Sequence, residues 1–167
     1  MKNLILVAIL LLTVSVLSFG QVTVTASTSV NIVAPIGMTL GTNMNFGNVA
    51  TAGSAGTVIL STAGVRTAGT GVTFPATTGT VTAASFAVTG SGTFTYVITL
   101  PASDVVLTGG PTANVKVNTF VSNPSGTGAL TAGAQTLTVG GTLNVGAGQA
   151  AGVYSNTTDM TVTVNYN

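Results

Sequence analysis

Few side chains in this 167-residue chain could do chemistry. There is no His, no Cys and no Glu; the acids are Asp104 and Asp159, and the bases are Lys2, Arg66 and Lys116. General acid–base catalysis calls for a His or a carboxylate tuned near its working pH, and nucleophilic catalysis for a nucleophile beside a base. Two Asp with nothing to bring them together supply neither, and Asp is a common turn residue. Calcium sites draw on clustered oxygen ligands, and no cluster exists. Glycine-rich pieces such as Gly69-Thr70-Gly71 and Gly90-Ser91-Gly92 lack the Gly-Lys-Ser/Thr ending of a phosphate loop, so they are turns. A Lys116–Asn crosslink is conceivable, but a lone Lys is ordinarily a solvated side chain. Asn156-Thr157-Thr158 matches a glycosylation sequon and reads better as a polar turn before the last strand. The expectation is no enzyme, no catalytic residue, no cofactor and no metal.

Charge narrows the partners. Only 3% of residues are charged against 46% hydrophobic, where an average domain carries about 25% charged residues. Thr, Ser, Asn and Gly must cover the surface. Such a chain lacks the basic patch that nucleic acid or an anionic membrane requires, and near-zero net charge favours association. The absence of Cys leaves no disulfide framework.

Met1–Gly20, MKNLILVAILLLTVSVLSFG, has the basic start, short apolar middle and small residues of a secretory signal. The apolar run is shorter than the roughly 20 residues that span a bilayer. The expectation is secretion to the extracellular space or cell surface, with removal of residues 1–20 and no stable membrane insertion afterwards.

The next stretch, Gln21–Ile36, alternates almost without a break. Val22, Val24, Ala26, Thr28, Val30 and Ile32 share one face, with Thr and Ser opposite. Period two is the signature of a strand with one face to bury. Residues 21–34 are read as an arm and 35–167 as the domain. Within the domain, strand-like runs recur at Thr57–Ser61, Thr80–Thr89, Thr93–Leu100, Asp104–Thr108, Asn114–Val121, Gln135–Val145 and Met160–Tyr166, separated by Gly, Pro, Ser and Asn clusters. Val and Thr dominate and helix formers are scarce. This predicts an all-β antiparallel sandwich. Expected core faces are Ala84/Phe86/Val88, Phe94/Tyr96/Ile98/Leu100, Val115/Val117/Val121, Leu137/Val139/Leu143/Val145 and Met160/Val162/Val164/Tyr166. Gly140-Gly141 inside a strand predicts a bulge or bend.

Two stretches carry a family likeness. Met44-Asn45-Phe46-Gly47-Asn48-Val49 resembles the N-F-G-N signature of a group of secreted bacterial domains catalogued as a domain of unknown function. Phe120–Gly128, Gly152-Val153-Tyr154 and Val162–Asn167 resemble its C-terminal half. Asn156–Asp159 lengthens the usual link before the last strand. More distantly, the pattern is similar to chaperone–usher fimbrial subunits and spore-coat-type relatives, though the fimbrial Cys pair is absent. That resemblance implies an incomplete immunoglobulin-like sandwich completed by a donated N-terminal strand, and a filament or surface-layer role. It implies partners that are copies of the chain itself, with an assembly chaperone or outer-membrane secretion machinery besides.

The leading expectation is therefore a filament subunit polymerising head to tail. Val22, Val24, Ala26, Thr28, Val30 and Ile32 are the donor strand. Phe94, Tyr96, Ile98, Val162, Val164 and Tyr166 are the candidate acceptor groove, because the final strand has no later segment to cover its edge. The alternative is a monomeric secreted adhesin or surface-binding module, which exposed aromatics would favour. Ice binding through Thr-x-Thr rows would require a flat, regular Thr array. An outer-membrane barrel would require longer strands and aromatic girdles.

Overall fold

The computed structural model describes residues 20–111 and 113–167. Of the expected signal peptide, residues 1–20, only Gly20 falls among them. Residues 20–32 form neither strand nor helix, and every one is exposed. A strand persists only while its N–H and C=O groups have a ladder partner, so alternation alone does not make one.

The compact unit begins at Val33. Its described residues form fourteen strands and no helix. The principal sheet is antiparallel, in the order β1 (Gly37–Thr42), β8 (Ala84–Thr89), β13 (Ala134–Val145), β11 (Val115–Asn123), β10 (Val105–Leu107). On β13 also pairs β4 (Gly56–Leu60), which carries β5 (Arg66–Ala68). A second sheet runs β12 (Thr127–Ala129), β9 (Thr95–Thr99), β14 (Thr163–Tyr166). Two ladders of two residues each join β2 (Asn45–Phe46) to β7 (Val81–Thr82) and β3 (Ala50–Thr51) to β6 (Val72–Thr73). The fold is all-β and antiparallel.

The twelve-residue β13 organises the unit. Its first half, Ala134–Val139, pairs with β8; its second half, Gly141–Val145, pairs with β4. The change of partner falls at Gly140-Gly141. A Cβ on Gly140 would sit 2.2 Å from the Leu60 carbonyl oxygen, so only glycine lets β4 approach there.

On the other side of β13, β11 carries one extra residue. Asn118 faces Thr142 while Val121 faces Gly140, and Thr119 takes φ +49°. One added residue reverses the side-chain phase of everything beyond it. Val115 and Val117 point into the core at 6% and 4% exposure, whereas Val121 is turned out at 47%. The expectation that Val121 shares their face is corrected by this bulge. Phe120, in the opposite phase to Val115 and Val117 by sequence, packs against both apolar clusters.

The core accordingly has two clusters. One, beneath the second sheet, contains Ala84, Val88, Tyr96, Ile98, Leu130, Leu137, Val139 and Val162. The other contains Val58, Leu60, Val105, Val115, Val117, Leu143 and Val145, capped by Phe46 and Val72. The second sheet does not extend over this second cluster; loops and the two short ladders cover it.

Candidate functional site

Three charged side chains, Asp104, Lys116 and Asp159, are held in surface clasps. Asp104 pairs with Lys116 Nζ at 3.1 Å and accepts from Asn118 Nδ2 at 3.1 Å; Asn144 Nδ2 in turn donates to Asn118 Oδ1 at 2.9 Å. The Asn118 hydrogen bond and the Lys116 ammonium hold the Asp104 carboxyl below the usual carboxylate range. Lys, Asp and Asn thus meet, as a crosslink would need. However, the carboxylate is held ionised and the Lys is about half exposed. The cluster is a solvated ion pair. Asp159 closes a tight turn: it accepts from Thr158 Oγ1 at 2.8 Å and Asn156 Nδ2 at 2.7 Å, and these bonds lower its pKa. Asn156 Nδ2 also donates to the Val106 carbonyl at 2.8 Å, so the sequon stretch is a built turn. No three His, Cys, Asp or Glu gather among the described residues.

The N-F-G-N stretch is a clasp of another kind. Asn45 Oδ1 accepts from Gly47 N–H at 2.8 Å, an Asx turn that Gly47 completes at φ +65°. A Cβ on Gly47 would lie 2.3 Å from the Thr78 carbonyl oxygen. Asn48 donates twice to the facing loop, backbone N to Thr78 O at 2.7 Å and Nδ2 to Thr77 O at 3.0 Å. Arg66 then pins the turn: its Nη1 donates to the carbonyls of Phe46 and Asn48 at 2.6 and 2.7 Å, while its guanidinium lies 4.0 Å from the Phe74 ring centroid. Phe46, between the two Asn, is driven into the second cluster.

This clasp is one wall of an open cleft of about 940 Å³. The floor is the inner face of the principal sheet. Across it runs a register row, Val105 beside Val117 and Val117 beside Leu143, with Leu107, Val115 and Val145 in the next row. The opposite wall is the segment from Gln149 to Asn156. Tyr154 Oη donates to Ala150 O at 2.8 Å and accepts from Gln149 Nε2 at 2.7 Å. Ser155 exchanges two backbone bonds with Thr108, at 2.8 and 2.9 Å, tying this wall to the end of β10. No charged side chain lines the cleft. Val153 on its rim is 81% exposed.

The expected site residues fall in two places. Val22, Val24, Val30 and Ile32 are 83–88% exposed, and Ala26 and Thr28 are also exposed. Tyr96, Ile98 and Val162 are buried in the first cluster, covered by their own domain. Phe94 is 44% exposed, and Val164 and Tyr166 are half-buried. Phe94 and Tyr166 meet edge to face at 5.7 Å, and Tyr166 Oη accepts from Ser91 N–H at 2.7 Å and donates to Ala34 O at 3.0 Å. β14 is an edge strand, paired with β9 alone. So the six candidate acceptor residues form one covered layer and its margin, and the cleft lies over the other cluster. The outer rows of the principal sheet mix residues: Thr39, Ala87 and Thr136 face one another, and Gly37, Thr89 and Ala134 the next. This is not a regular Thr array.

The cleft was not anticipated from sequence, yet a signal was there. Two stretches singled out by family likeness, Met44–Val49 and Gly152–Tyr154, form its two walls. Comparison with curated proteins and with solved structures finds no match. A family model described as "Domain of unknown function (DUF4402)" matches residues 36–166, which include both walls, and the chain belongs to that family.

Proposed function

We propose that this protein is a secreted, non-enzymatic structural subunit of an extracellular, pilus-like filament. It polymerises head to tail by donating the Val22–Ile32 arm to the next copy and so completing that copy's immunoglobulin-like sandwich. The observation that carries the reading is the arm. It presents four Val and Ile side chains at over 80% exposure, in strict alternation and with no charge among residues 20–32. An exposed apolar strand-former is an aggregation hazard unless a partner covers it, and strand addition to a neighbour does so. Burying four such side chains contributes roughly 6–12 kcal/mol, from which ordering and association costs subtract. Donation between different surfaces is heterologous, so it gives an open polymer rather than a closed dimer.

Sedimentation of purified protein with and without residues 21–32 tests this. The intact chain forms large species and the truncated chain stays monomeric. A monomeric intact chain at every concentration overturns the reading. A second reading, a monomeric binding module, is favoured by the cleft volume, which lies in the range of about 300–1,000 Å³ typical of ligand sites.

A further inference from the structure

We infer that the cleft between the N-F-G-N wall and the Gln149–Asn156 wall is the acceptor for the arm of a second copy. This rests on the polymer reading above and moves its acceptor away from the β9–β14 face. Two observations carry it.

The first is match of chemistry. The cleft has an apolar floor, amide and hydroxyl groups on its walls, and no charged side chain. Residues 20–32 are Val, Ile and Ala alternating with Thr, Ser and Asn, likewise without charge. An alternating strand laid there would turn one face to the floor and the other to solvent. A charged peptide or a nucleic acid would find no counter-charge.

The second is a gap in the layers. The first cluster is roofed by three paired strands, β12-β9-β14. The second is roofed by ladders two residues long and by loops, with the cleft between them. On the other side, Tyr96 and Ile98 belong to that paired roof itself and point into the first cluster with Val162. The floor residues Val117 and Leu143 are themselves only 4% and 8% exposed, so seating the arm's side chains on the floor requires the walls to part.

The absence of Cys makes a direct test available. Single Cys substitutions across residues 22–32 of the full chain are combined with Ala50→Cys on one wall, Ala150→Cys on the other, or Phe94→Cys on the β9–β14 side. After mild oxidation, denaturing gels should show a reducible ladder of multimers for the two wall positions, strongest at every second arm position, and none for Phe94→Cys. A ladder at Phe94→Cys alone overturns the inference. So does polymer that forms without any wall crosslink, and so does a crosslink confined to single chains. If the parental chain forms no polymer at all, the polymer reading itself fails, an outcome distinct from polymer with the wrong crosslink.

Discussion

Arg66 shows how much one side chain carries in a chain with so few charges. Its planar guanidinium holds two carbonyls of the N-F-G-N turn while stacking on Phe74, a geometry that a point-charge ammonium cannot reproduce. Arg66→Lys should lower unfolding free energy by about 1–2 kcal/mol, read from urea titration. The titration behaviour is equally spare. The sequence holds no His and no Cys, the side chains that ordinarily titrate between about pH 5 and 9, so the melting temperature should be flat across that window. On the acid side, Asp104 and Asp159 are held below 3.8. Their contribution is present above that value and lost as pH falls through their lowered pKa values. On the alkaline side, burial raises Tyr96 above 10.0. The fold holds its neutral form, so that contribution is complete below 10.0 and lost as pH rises past it. Tyr96→Phe removes one hydrogen bond, to Gln135 Oε1, which keeps its bond from Ala129 N–H. The variant should cost about 1 kcal/mol at neutral pH and show a weaker alkaline decline in a pH series of thermal melts.

At the scale of elements, β13 and its neighbours decide what is core. Val117→Ala should cost about 2 kcal/mol, while Val121→Thr should change stability by no more than about 0.5 kcal/mol, although both were in one apolar series by sequence. Equal losses in chemical denaturation would contradict the bulge. This contrast shows what a sequence of this kind discloses. The alternation of Leu137, Val139, Leu143 and Val145 was legible because all four keep one phase along β13, and the glycine pair was legible as a bend. The all-β class followed from Val, Thr and turn residues. The extra residue at Thr119-Phe120 was not legible, because nothing local distinguishes a bulged Thr from a paired one. The short β1, β2, β3, β5, β6 and β12 were missed for a related reason: Gly-containing or two- to three-residue segments have no period to read. The cleft was hidden because it depends on which half of β13 the second sheet covers. Gly140→Ala tests the bend. Its Cβ has no room beside a backbone carbonyl, and a loss of at least about 2 kcal/mol is expected.

The molecule as a whole is a nearly uncharged all-β unit preceded by an exposed, alternating, uncharged segment, residues 20–32. An uncharged surface disperses poorly, and under the proposed polymer reading the arm's partner is a second copy, which shares its chemistry. Val24→Asp or Val30→Asp places a charge in the series that the polymer reading buries, at a cost of several kcal/mol if unpaired. Neither residue contributes to the core of the compact unit, so secretion and melting temperature should be unchanged. The most direct measurement is electron microscopy of surface material from cells producing the parental chain or the Val24→Asp/Val30→Asp double variant. The account predicts filaments containing this protein from the first and none from the second, with equal amounts of secreted protein. Filaments that persist in the double variant, or a parental chain present at the surface only as monomer, would contradict it.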